Sequence, residues 1–188
     1  GLFNGGLNSD QPALAYRHQV SEAQKIVEQF LGNVIAVHEV GLGKTITAIL
    51  VLAEFLLREP ELNVLILVPT NLRLQWEGEI KRFIDLDVYS EMSPDGIMSN
   101  RFVLLSIDTA KEKRWAALLN QRKWDFLIVD ESHILRNEIT TRYRFVYSLR
   151  AHHRLFLTAT PVHNSPYDIY HQVNVVHPGL LGRKDVFS

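Results

Sequence analysis

The run His38-Glu39-Val40-Gly41-Leu42-Gly43-Lys44-Thr45 sets two glycines, a lysine and a threonine at the spacing of a phosphate cradle. Gly41 and Gly43 permit positive φ and keep side chains away from a bound anion. Lys44 carries a compact ammonium suited to β- and γ-phosphates, and Thr45 offers a hydroxyl to Mg²⁺. The general pattern asks for glycine five residues before the second glycine, and His38 stands there. The same residues would serve a plain glycine turn ahead of a helix, so the loop alone leaves both readings open.

A second chemical signal follows the apolar run from Trp124 to Val129, which ends in Asp130-Glu131-Ser132-His133. Strands buried on both faces of a parallel sheet read as continuous apolar runs, and ligands of such sheets bind beyond the carboxyl ends of the strands. There, one carboxylate can hold Mg²⁺ while its neighbour orients an attacking water. The alternative is an ordinary helix start, where acidic residues favour the dipole. A third run, Arg154-Leu155-Phe156-Leu157-Thr158-Ala159-Thr160-Pro161, is another apolar strand, here ending in two hydroxyls and a proline.

The elements that must position these groups alternate. Strands are expected over 33–37, 63–68, 86–90, 102–107, 126–129 and 155–157. Helices are expected over 13–30, 46–58, 72–83, 109–120, 140–149 and 167–176, with a turn at Ser93-Pro94-Asp95-Gly96. Strands alternating with helices imply parallel β-α units and a sheet covered on both sides. Such a sheet brings Lys44, Thr70, Ser106, Asp130 and Thr158 to one edge despite their separation in sequence. Trp76, Leu72, Leu74 and Ile80 read as residues packing a helix rather than stacking on bases.

Taken together, the segments resemble superfamily 2 helicase-type ATPases of the SWI/SNF-related branch, with a DEAH-box-like second motif. The resemblance covers nearly the whole chain and implies an α/β, three-layer, RecA-like P-loop NTPase lobe with a mostly parallel sheet. Tyr16-Arg17-His18-Gln19 is similar to the family's adenine-recognising segment and points to Gln19. Glu39 to Thr45 looks like motif I, which implies that Gly41, Leu42, Gly43, Lys44 and Thr45 hold ATP. Leu67 to Trp76 resembles motif Ia and Leu105 to Thr109 motif Ib, implying nucleic-acid backbone contacts at Thr70, Asn71, Arg73 and Ser106. Asp130 to His133 corresponds to motif II, with Ser132 in place of the usual alanine. Leu157 to Pro161 matches motif III, which makes His133, Thr158 and Thr160 the coupling residues.

The resemblance implies catalysis through Lys44, Asp130 and Glu131, with Mg²⁺ on Thr45 and Asp130. It also implies double-stranded DNA as partner and a second RecA-like lobe, with accessory domains or subunits beyond. The 188 residues are read as one such lobe with an irregular segment over 1–12, and no second lobe follows Pro161. Arginines of the second lobe complete the site in this family, so the lobe alone is expected to turn over ATP poorly. The alternatives are the motor lobe of a restriction or phage-defence helicase, and a catalytically silent module that binds ATP or DNA.

Composition is compatible with this reading. A hydrophobic share of 46% with 22% charged residues is that of a globular domain. There is no cysteine, which excludes disulfides and thiolate metal sites and accords with an intracellular location. The formal net charge of −1 excludes a generally basic nucleic-acid coat, so DNA contact would rest on backbone N–H groups and local cations. Lys81-Arg82 and Lys111-Glu112-Lys113-Arg114 are the densest basic patches. No apolar run is long enough to span a membrane.

Overall fold

The computed structural model describes Ser21, Ala23 and residues 34–37, 43–130 and 141–158. Five strands form one sheet in the order β1-β5-β4-β2-β3: β1 (Val34–Val37), β2 (Val64–Val68), β3 (Phe102–Ser106), β4 (Trp124–Val129) and β5 (Ala151–Thr158). Every pairing is parallel. The helices are α1 (Gly43–Arg58), α2 (Arg73–Ile84), α3 (Pro94–Ser99), α4 (Ile107–Ala110), α5 (Lys113–Gln121) and α6 (Thr141–Ser148). The 3₁₀ turn Thr70–Leu72 precedes α2.

Successive strand residues point to opposite faces, and the cores sort accordingly. Val64, Ile66 and Val68 join Leu104, Ile128 and Leu155 in a core under α1 and α2. Leu65 and Leu67 join Val103, Leu105, Val129 and Phe156 in a second core under α3 to α6. The protein is therefore a three-layer α/β fold. β2 is buried at all five positions, so its sequence is Val-Leu-Ile-Leu-Val without polar alternation.

Connectivity explains where every described helix but α3 lies; α3, between β2 and β3, packs with the second core through Ile97. The chain steps from β1 to β2 to β3 in one direction across the sheet, with α1 and α2 on one face. It then steps back from β3 to β4 to β5 with α4, α5 and α6 on the other. Right-handed crossovers require that change of face when the direction reverses.

α1 starts three residues earlier than the expected helix 46–58, because Gly43, Lys44 and Thr45 form its first turn. It is buried continuously from Thr47 to Ala53, and Pro60 follows its end at Arg58. α2 ends on Asp85, whose left-handed backbone (φ 49°) lets its N–H reach the Lys81 carbonyl at 3.1 Å.

Several elements differ from the pattern in the sequence. Residues 86–90 form no strand; Tyr89 alone bridges Val103 through hydrogen bonds to Phe102 and Leu104. The Ser93-Pro94-Asp95-Gly96 turn is the start of α3, because Ser93 Oγ accepts the Gly96 N–H and Pro94 suits the first helical turn. The expected helix 109–120 is two helices broken at Lys111 and Glu112. β5 begins at Ala151 rather than Leu155, since His153 packs against Phe55 and the Arg154 guanidinium donates to the Leu149 carbonyl. Leu74 is 73% exposed, against the expectation that it packs its helix. The expected helix 167–176 lies outside the described residues, as does nearly all of 13–30.

Candidate nucleotide and nucleic-acid site

The carboxyl ends of all five strands form one edge. Val37 pairs with Thr158, so the chain leaves β1 beside the end of β5. Gly43, Lys44 and Thr45 then open α1. Their amides belong to the turn whose N–H groups have no intrahelical acceptor, and no acidic residue there opposes an anion. β5 separates this corner from β4, which ends at Val129 opposite Phe156.

Asp130 is the first residue beyond β4 and is 3% exposed. Its backbone N–H donates to the Leu67 carbonyl at 2.9 Å, fixing the end of β4 to β2. Its Oδ2 accepts the Trp76 indole N–H, also at 2.9 Å. A buried carboxylate needs such donors, because desolvation without them is costly. The core assignment of Trp76 stands, since it is 1% exposed. What the sequence did not reveal is the acceptor. A buried tryptophan requires one, but only the sheet order identifies it as Asp130.

On the far side of β2, Val68 pairs with Ser106, and the next turn places Thr70 Oγ1 2.6 Å from Ser106 Oγ. Thr70 and Asn71 are exposed and Ser106 is buried. Arg73 Nη1 donates to the Ser90 carbonyl at 3.3 Å and lies 3.8 Å from Glu77, so this guanidinium is held against its own face of the fold. Asp108, two residues beyond Ser106, accepts from Lys111 at 2.6 Å and from Arg142 at 2.5 Å. These cations hold its carboxyl below the usual range, the Lys111 hydrogen bond contributing most.

The site therefore gathers Lys44, Thr45, Asp130, Thr70 and Ser106 on one edge, with the backbone of Thr158 among them. Gln19, Gly41, Leu42, Glu131, His133 and Thr160 lie outside the described residues. Among the described residues no three His, Asp or Glu side chains converge. A hydroxyl and one carboxylate are nonetheless a donor set that fits Mg²⁺, which keeps several waters and takes further oxygens from a substrate's phosphates.

A family model described as the SNF2-related domain matches residues 18–188. The chain belongs to the SNF2-related domain family. It is 37% identical over 171 residues to "Uncharacterized ATP-dependent helicase YqhH" of Bacillus subtilis (strain 168), covering 91% of this chain and 31% of that protein. It is 35% identical over 158 residues to the RNA polymerase-associated protein RapA of Pseudomonas aeruginosa (strain LESB58), covering 77% of this chain and 17% of that one. The fold matches the Sulfolobus solfataricus SWI2/SNF2 ATPase core in complex with dsDNA at a TM-score of 0.76 and 20% identity, over 95% of this chain and 38% of that one. This SNF2-related chain thus spans well under half of each of these three proteins.

The SNF2-related fold also sorts the two basic patches. Lys81 and Arg82 end α2, which runs back from the carboxyl ends of the strands, so they lie at the opposite end of the sheet from Thr70. Lys81 is paired there with Asp85 at 2.8 Å and Asp87 at 3.0 Å. Lys111 and Arg114 follow β3 on the site's edge, where Lys111 pairs with Asp108 and Arg114 covers the Trp115 ring. No described helix is long and apolar enough to cross a membrane.

Proposed function

We propose that this chain is the ATP-binding N-terminal motor lobe of a DNA-dependent ATPase that couples hydrolysis to movement on double-stranded DNA. The observation that carries the reading is the shared edge. Lys44 and Thr45 at the start of α1, Asp130 at the end of β4, and the Thr70–Ser106 pair at the ends of β2 and β3 all lie along it. Membership of the SNF2-related family and the likeness to an ATPase core bound to dsDNA support it.

In this reading the α1 amides and Lys44 bind the β- and γ-phosphates, and Thr45 and Asp130 hold Mg²⁺. The metal would neutralise charge on the phosphates as they separate. Glu131 orients the attacking water, Gln19 selects adenine, and His133, Thr158 and Thr160 transmit the nucleotide state. Thr70, Asn71 and Ser106 meet the DNA backbone, where contacts position rather than specify. An arginine supplied by a second lobe would change the rate by about 10³–10⁵-fold.

The test uses the intact protein. ATP hydrolysis should be stimulated by duplex DNA more than by single-stranded DNA or RNA. Lys44→Ala should abolish nucleotide binding, whereas Glu131→Gln should bind nucleotide and not turn over. Stimulation by RNA alone would assign a different substrate, and wild-type protein that binds no ATP would refute the reading.

A further inference from the structure

We infer that Trp76 is a positioning residue for the metal-holding carboxylate, a role that rests on the nucleotide-site reading of Asp130. The two side chains lie 54 residues apart in sequence and on different elements, yet the indole N–H donates to Asp130 Oδ2 at 2.9 Å. Both are almost wholly buried, at 1% and 3% exposure. The chemistry of the pair is one-directional. Indole nitrogen only donates and a carboxylate oxygen accepts, so the bond holds Oδ2 on the Trp76 side and leaves Oδ1 for another partner. It also fixes the carboxylate's rotation about its own axis. The backbone bond from Asp130 to Leu67 fixes the residue's main chain but leaves that rotation open.

Trp76 is itself held rigidly. It sits in the first turn and a half of α2, and packs in the core that includes Ile80, Val68 and Ile128. A donor on so fixed a ring holds one oxygen of the carboxylate in a fixed direction. Outer partners of this kind typically change metal affinity or activity by about 10–100-fold when removed. The two other tryptophans separate this role from core packing. Trp124 is equally buried, but its indole N–H goes to the Leu119 carbonyl at 3.1 Å, at the amino end of β4 and away from the site. Trp115 packs under the Arg114 guanidinium.

The experiment titrates Mg²⁺ against binding of a fluorescent ADP analogue to the intact protein, with EDTA as the metal-free reference. Trp76→Phe removes the donor and keeps most of the ring. It should raise the Mg²⁺ concentration needed for metal-dependent binding by about 10-fold or more, and leave binding in EDTA unchanged. Trp124→Phe should lower thermal stability without moving the Mg²⁺ requirement. If Trp76→Phe fails to fold, 3-benzothienylalanine at position 76 places sulfur where the N–H stood, keeps the shape, and should give the same shift. An unchanged Mg²⁺ requirement in the folded variant, or equal shifts at positions 76 and 124, overturns the role of Trp76 alone. Wild-type protein that shows no Mg²⁺-dependent nucleotide binding overturns the nucleotide-site reading and this inference with it.

Discussion

Thr70 Oγ1 and Ser106 Oγ lie 2.6 Å apart and join the turn after β2 to the last residue of β3. Six residues after Thr70, Trp76 reaches Asp130. Ser106, the 3₁₀ turn, the start of α2 and Asp130 are thus linked by two side-chain hydrogen bonds and one rigid helical segment. The nucleic-acid candidates and the metal candidate therefore share a structural support.

The first prediction concerns that hydroxyl pair. Thr70→Val keeps the shape and deletes the bond, leaving the buried Ser106 hydroxyl without this partner. The expected cost is about 1 kcal/mol, the usual net worth of such a bond. Chemical denaturation measures it. In the proposed motor the same change should raise the duplex-DNA concentration for half-maximal ATPase stimulation while nucleotide affinity without DNA is kept. Equal losses in both would place Thr70 in the nucleotide site instead.

A pH dependence follows from Asp108. Lys111 first, then Arg142, stabilise its charged form, so its folded pKa lies below its unfolded value. Its contribution is therefore full above the ordinary carboxylate range and is lost as pH falls through the folded pKa. The carboxyl is 40% exposed, so solvent screening limits the contribution to about 1 kcal/mol or less. Asp108→Asn should lower stability by that amount at neutral pH, and urea titrations at decreasing pH should show the gap to wild type closing. A gap that widens in acid would show that the pairing is not what Asp108 supplies.

How much of this was legible beforehand depended on whether a residue's role is local. The Val64–Val68 strand was legible because burial on both faces demands five apolar residues in succession. The place of Lys44 and Thr45 between a strand and a long helix was legible because both patterns are continuous in sequence. The start of β5 was hidden behind His152, His153 and Arg154, because His153 packs against Phe55 and Phe126 far away in sequence and the Arg154 guanidinium donates to the Leu149 carbonyl. Leu74 was misplaced because helical periodicity gives a face but not the edge at which the packed face ends. The Trp76–Asp130 bond was invisible for the same reason in a stronger form. It depends on β2 and β4 being neighbours, which strand order alone decides.

The last prediction tests packing between the lone Tyr89 bridge and α3. A Cβ added to Gly96 would fall inside the Tyr89 ring, so glycine is required there by a close approach rather than by backbone angle. The ring cannot simply swing away, because Tyr89 Oη is hydrogen-bonded to Ser93 Oγ at 2.7 Å and the residue's backbone is bonded on both sides to β3. Gly96→Ala should therefore destabilise by about 1–3 kcal/mol through overpacking. With the ring removed by Tyr89→Ala the clash is absent, and the same Gly96→Ala change should be neutral or stabilising by about 0.5–1 kcal/mol, the helix preference of alanine over glycine. Urea denaturation of the four proteins of this cycle gives the coupling directly. The reversal of sign is the decisive feature, since a helix-start effect at Gly96 would persist in both backgrounds and only contact with the Tyr89 ring makes it change.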